Sequence, residues 1–449
     1  MKKIIYSGLS VVFLLLTFVS SATAKLDVNA SVGLREEYND NIFLTKTNRE
    51  DDFITSISPN ISLNYALSYL DLSLDYGLNF KFFAHHSELD LTSLTNTQTA
   101  SLKHQFRPMK GMFIDISDVY RRVPVDIRNQ VAFDNVFVNM TDSNIFSVSP
   151  NFVYPLSSTL ETRFGYRYTN IWYKVREGNN SESNSAFISI LKKLSPSLST
   201  GVNYNFVAVQ PKKTEAYDQH QGSVNVMYQR GSDFKVWGEF GRVFINYESD
   251  RKIETNFWDV GSDYSLKISE NTSLGAGYST SFAETDITGE VRQLRFRSYY
   301  YDPKNPTVIW LLDPYYTYDR YSVSAGATKE ERVDIFFRTG QRFRISVNPY
   351  YTVVKYLEID RKDKITGIAA NFYHKLSAKI NSSIHGVAEK QKFLPENREY
   401  SRYSIGLNLD YRLSKHITTG LGYTYNTRKS NNADEFHNNI AWIQSTFSF

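Results

Sequence analysis

Long runs in which apolar and polar residues alternate one by one constrain this 449-residue chain more than any other feature of it. From Phe53 to Leu67 the odd positions include Phe53, Ile57, Ile61, Leu63, Tyr65 and Leu67, and the even ones Ser56, Ser58, Asn60, Ser62 and Asn64. The next run has the opposite parity, with Leu70, Leu72, Leu74, Tyr76, Leu78, Phe80 and Phe82 between Asp71, Ser73, Asp75, Gly77, Asn79 and Lys81. Tyr403 to Leu413 repeats the pattern near the end. A period of two is a strand with unlike faces. Runs of roughly 10–15 residues exceed the usual 5–6 of globular strands and suit a tilted strand crossing a bilayer, which needs about 9–11. A soluble sandwich of such strands would need a very large dry core. A closed barrel turns the apolar faces to lipid and leaves no edge unpaired. The fold class expected is therefore all-β: a single transmembrane antiparallel β-barrel.

Composition supports the same class. There are 32 tyrosines and 30 phenylalanines, yet mean hydropathy is only −0.40. A net charge of +4 gives no reason to expect a nucleic-acid partner. Cysteine is absent, which excludes disulfides, thiolate metal sites and cysteine nucleophiles. Lys2 and Lys3, the apolar Leu9 to Val19 and the small-residue site Ala22-Thr23-Ala24 have the layout of a signal peptide. Residues 1–24 are expected to be removed on export and 25–449 to form one barrel domain in the outer membrane. Short turns recur at Leu67–Tyr69, Arg107–Gly111, Pro155–Ser158, Ser195–Ser197, Arg230–Asp233, Glu270–Thr272, Gly340–Arg342, Ser377–Lys379 and Ser414–His416. Between them lie longer polar stretches, among them Asn39–Asp52, His85–Leu94 and Arg121–Asp142. Short periplasmic turns and long extracellular loops are the asymmetry of bacterial barrels, and the count comes to about 20 strands, within 18 to 22.

Parity places Arg163, Arg167, Arg342 and Arg344 on the lumen side. Glu284 to Arg320 reads as the longest irregular piece, with room for a hairpin near Val291 to Tyr300. It carries Arg295, Arg297, Tyr299, Tyr301, Trp310 and Tyr316. Arginine grips carboxylates bidentately and aromatic faces stack on sugars, so this segment is a candidate constriction contacting an acidic saccharide. No metal ligand cluster, Gly-rich phosphate loop or nucleophile–base motif stands out. His85 and Ser87 are two apart at a strand end, but their surroundings depart from barrel phospholipases. Neither enzyme activity nor a cofactor is expected.

The chain ends Trp442-Ile443-Gln444-Ser445-Thr446-Phe447-Ser448-Phe449, with Phe447 and Phe449 on one face. This ending resembles the signal read by the barrel-assembly machinery, which makes that machinery an expected partner. Glu37-Tyr38-Asn39-Asp40-Asn41-Ile42-Phe43, followed by Asp51-Asp52-Phe53-Ile54 and Ser58-Pro59-Asn60-Ile61, resembles the opening of the outer-membrane β-barrel porin family associated with exopolysaccharide and exosortase systems. The resemblance implies a channel for exopolysaccharide or another polar, anionic saccharide, with a periplasmic export partner. A structural or adhesion barrel without transport is the alternative. Asp40 and Asn41 are expected to form an Asx-type turn after the first strand. Mass spectrometry of the N-terminal peptide from the purified protein should give Lys25 as its first residue; a chain still beginning at Met1 would make the segment an anchor.

Overall fold

The computed structural model describes residues 25–124, 140–174, 180–213, 215–231, 234–266, 272–285, 290–298, 312–320, 326–339, 343–356, 362–394, 397–431 and 435–449. Almost every alternating run is a strand. The first are β1 (Lys25–Asn39), β2 (Asp52–Leu67), β3 (Leu70–Leu78), β4 (Phe80–Phe83), β5 (Gln98–Met109) and β6 (Met112–Pro124). Next come β7 (Met140–Ser157), β8 (Leu160–Tyr173), β9 (Ser181–Lys193), β10 (Leu198–Pro211), β11 (Tyr217–Arg230) and β12 (Phe234–Tyr247). Then follow β13 (Lys252–Leu266), β14 (Thr272–Thr285), β15 (Glu290–Ser298), β16 (Leu312–Arg320), β17 (Gly326–Thr339) and β18 (Phe343–Tyr356). The last are β19 (Lys362–Lys375), β20 (Ile380–Leu394), β21 (Arg398–Arg412), β22 (Ile417–Ser430) and β23 (Phe436–Ser448).

All pairings are antiparallel, and nearly all join neighbours in sequence. β3 and β4 both pair with β2 and form one interrupted wall. β15 and β16 form a hairpin of their own, and β14 pairs directly with β17. Twenty walls result. β1 pairs with β23 from Ser31↔Ser448 to Asn39↔Ile440, which closes the sheet on itself. The short turns all fall at one end, where Lys110 and Gly111 join β5 to β6 in two residues. Gly111 has φ +82°, and a Cβ there would press on the Val153 carbonyl oxygen at 2.5 Å, so this turn requires glycine.

The two faces are inverted relative to a soluble protein. Val202, Val224, Phe240, Leu421 and Ile443 lie on the outward face and are more than half exposed. Asn151, Asn205 and Asn438 point inward and are 1% exposed. Such a surface is stable only where the outer medium is hydrocarbon.

At the long-loop end the seam is latched by the Tyr38–Ile42 segment. The Asp40 carboxylate accepts the Asn439 backbone N–H and side-chain amide, both at 2.6 Å. The fully buried Asn41 donates to the carbonyls of Thr45 (2.8 Å) and His437 (2.9 Å) and accepts the Thr45 N–H. The Asx turn expected here is made by Asn39, whose side chain accepts the Asn41 N–H. Asp40 and Asn41 instead bridge the first loop to the last strand.

The expected irregularity of Glu284 to Arg320 is corrected in part. β13 and β14 separate above Asp259↔Ser279, and β15 takes the vacated edge at Ala283–Thr285. β15 and β16 then pair from Glu290↔Arg320 to Ser298↔Leu312. Alternation is hard to see there because Pro314 and adjoining tyrosines interrupt it.

Val224→Arg tests which face meets lipid. The substitution should cost about 2–4 kcal/mol near the bilayer midplane, measured by urea unfolding from lipid vesicles. No loss of stability would place that face in water.

Candidate functional site

The inner wall is the surface on which this fold can bind or pass anything, and it is zoned. Its middle band on β6–β11 is built from short hydroxyl and amide side chains that bond to one another. Ser117 meets Ser147 at 2.8 Å, Ser185 donates to Asn205 at 3.0 Å, and Ser189 donates to Asn203 at 2.6 Å. Asn203 passes the chain on to Ser223 at 3.2 Å, and Asn151 donates to Asp115 at 2.8 Å. Bulky inward groups lie flat because glycines face them. The Tyr350 ring covers Gly367 and the Trp237 ring covers Gly261, where any Cβ would collide with the ring.

Toward the long loops the inner wall of β10–β13 becomes apolar. Val207, Val209, Tyr217, Val243, Ile245, Tyr247 and Phe257 form one buried cluster there. Across the ring, β20–β23 carry a basic and aromatic patch at the same end. Arg398 stands over Phe393 at 5.1 Å and Tyr400 at 5.5 Å, and Arg428 over Tyr400 at 5.3 Å and Phe436 at 5.5 Å. Arg402 pairs with Glu389 at 2.5 Å, and Glu389 also accepts from Tyr350 at 2.6 Å and Gln391 at 2.6 Å. Register sets Arg402 and Arg428 directly opposite one another on the inward face. Like charges opposed across a pair of strands are unfavourable unless negative charge lies between or beside them. Glu389 supplies such a charge from the far side of Arg402.

Of the residues read from the sequence, Arg163 and Arg167 do face inward from β8; Arg163 is buried, 5.9 Å from the Phe187 ring. Arg344 faces inward from the short-turn end of β18, 5.6 Å from the Tyr373 ring. Arg295 and Arg297 belong to β15 and Tyr316 to β16, where pairing is described but side chains are not. Tyr299, Tyr301, Trp310 and Arg342 lie outside the described residues. Phe447 is on the lipid face of β23, and the Phe449 N–H closes on the Ala30 carbonyl at 2.8 Å. His85 and Ser87 sit in the loop after β4 with no bond between them among the described residues; His85 Nδ1 meets the Asp51 carbonyl at 3.3 Å. Sequence reading missed the Arg398–Arg402–Arg428 patch, which exists only once strand register is known.

A mutant of the ferric enterobactin receptor PfeA from Pseudomonas aeruginosa superposes on 96% of this chain and 81% of its own, with TM-score 0.54 and 10% identity. The siderophore receptor PirA from the same species covers the same shares at TM-score 0.50 and 11% identity. PirA from Acinetobacter baumannii gives TM-score 0.50 and 10% identity, again over 96% and 81%. The fold is that of an outer-membrane β-barrel. At this level of identity the likeness reaches no further than architecture. No family model and no curated protein sequence matches the chain.

The long-loop end of this barrel is held by a titratable tie. His86 donates to Asp52 at 2.8 Å and to Glu50 at 2.7 Å, joining the loop after β4 to the start of β2 and the loop before it. Bonds to Asp52 first and Glu50 second raise the His86 pKa above its ordinary value. A raised histidine pKa means that the tie contributes fully below the unfolded value near 6.5 and is lost as pH rises through the folded one. His86→Gln should therefore lower thermal stability at pH 6 and make progressively less difference at higher pH. A destabilisation independent of pH from 6 to 9 would rule out a charged tie.

Proposed function

We propose that this chain is an outer-membrane channel, exported by its signal peptide, that binds and passes an anionic saccharide chain. The carrying observation is the inward pair Arg402 and Arg428 set opposite each other beside Tyr400 and Phe436. Guanidinium groups are forked donors suited to a carboxylate or sulfate; Arg402 already holds Glu389, and the buried Tyr400 and Phe436 rings brace Arg428 from behind. The hydrogen-bonded middle band gives such a chain a polar path whose charged groups include Asp115, Arg163 and Arg167. The Tyr38–Ile42 segment resembles the exopolysaccharide-associated porin family. Its residues act in closing the seam, so they speak for shared architecture and not for the cargo. The reading requires no catalytic step and no cofactor, and it leaves the lipid bilayer, the assembly machinery and a periplasmic export component as partners.

A second reading, a barrel that adheres or stiffens the envelope without transport, is favoured by the buried apolar cluster on the inner wall of β10–β13. A mouth narrowed by such side chains passes water poorly. Planar-bilayer conductance of the refolded chain separates the two. The channel reading expects a stable open state blocked by acidic oligosaccharides at lower concentration than by neutral ones. Arg428→Gln should weaken the acidic block about tenfold, a loss of about 1.4 kcal/mol, with neutral sugars unaffected. Absence of both conductance and sugar binding would favour the second reading.

A further inference from the structure

The short-turn mouth of the barrel carries a charge distribution unlike that of the opposite end. Lys25 on β1, Lys193 on β9, Lys235 on β12, Arg344 on β18, Lys375 on β19 and Arg412 on β21 lie at the short-turn ends of their strands. All six share parity with inward residues. Lys193 alternates with outward Ile188 and Ile190, Arg344 with Ile345 and Tyr351, and Arg412 with Leu409 and Tyr411, which are exposed apolar side chains. Lys375 likewise shares its face with the buried Asp363 and Ile365. Lys235 rests over the Trp237 ring at 5.0 Å and Arg344 beside Tyr373. An aromatic face thus holds Arg344 without neutralising it.

Ion pairs are distributed the other way. Among the described residues, Lys46–Glu435, Lys174–Asp142, Arg251–Glu215, Lys390–Glu399 and Lys392–Glu399 lie at the long-loop end. At the short-turn end the ion pair described is Arg107 with Asp71. Lys25, Lys193, Arg344, Lys375 and Arg412 meet no carboxylate at ion-pair distance among the described residues. Acids do occur at this level on the inward face: Asp27, Asp71, Asp115, Glu161 and Asp410, and register sets Asp263 opposite Lys235. Asp71 is taken by Arg107, and Glu161 has Arg163 two residues along the same face. Among the described residues the excess of positive charge is local to β18–β21, where Arg344, Lys375 and Arg412 share the inward face with Asp410.

Adjacent strands are about 4.8 Å apart, so Arg344, Lys375 and Arg412, on three of four successive strands, lie within one or two Debye lengths of each other at physiological salt. Charges of one sign on a low-dielectric rim focus the field into the opening and concentrate counter-ions there. Inward placement makes these groups accessible to a solute in the lumen rather than to phospholipid headgroups outside.

We propose that the short-turn mouth is the loading end, where a polyanionic saccharide is captured before it threads toward Arg402 and Arg428. This rests on the channel reading and adds a direction to it. The test is sided block of the refolded chain in planar bilayers, with oligogalacturonate as the probe. Lys212→Cys in a long loop, biotinylated in a chain that has no other cysteine, marks orientation by streptavidin binding. Probe added at the short-turn side should block at a concentration at least about fivefold lower than at the loop side. Combining Lys193→Gln, Lys375→Gln and Arg412→Gln should bring that ratio close to one while loop-side block is retained. Those residues sit on the rim, and unchanged heat-modifiable migration of the variant shows that it folds. Equal block from both sides in the parent, or sidedness that survives the triple substitution, overturns the loading-end assignment and leaves the channel reading standing. Lack of block from either side overturns both.

Discussion

Backbone hydrogen bonding without water is the constraint on which everything else in this molecule depends. Inside hydrocarbon each unpaired N–H or C=O costs several kcal/mol, so a sheet that crosses a membrane has to return to its own first strand. Here the β1–β23 pairing performs that closure. The latch formed by Asp40, Asn41, Asn438 and Asn439 sits at the outer end of the seam, where the two strands leave each other for different loops. Buried amides at such a point are costly to lose, because each leaves a buried carbonyl or N–H without a partner, at about 1–3 kcal/mol.

Closure also explains the inverted faces. Once the ring is shut, one face of every strand is committed to lipid and the other to an enclosed space. Apolar side chains go outward, and polar side chains have to satisfy one another within. The serine and asparagine ladder and the glycine-seated rings are two solutions to that requirement. One spends no charge, and the other brings large groups close to the wall without filling the lumen.

Much of this was legible in the sequence because period-two alternation is local. Phe53–Leu67 and Leu70–Phe82 announce their own faces, and the short turns at Leu67–Tyr69 and Ser414–His416 fall where they were read. The partner of most strands also followed, since antiparallel hairpins pair neighbours; the direct β14–β17 pairing did not. Relations between distant residues were not legible. Asp40 reaches Asn439 across nearly the whole chain. The opposition of Arg402 and Arg428 depends on register, which the alternation of one strand does not specify. Gly367 and Tyr350 looked unremarkable apart and have meaning only as a stacked pair. The β15–β16 hairpin was obscured because its aromatic and basic residues do not alternate cleanly.

The ladder of Ser185, Ser189, Asn203, Asn205 and Ser223 has a kinetic consequence. Donors and acceptors engaged with each other have little left to offer a hydroxyl-rich polymer, and in this ladder the Asn205 side-chain N–H is one donor left open. A wall of free amides would exchange bonds with every sugar and hold the chain at each step. A wall that is polar and largely engaged with itself wets easily and grips weakly.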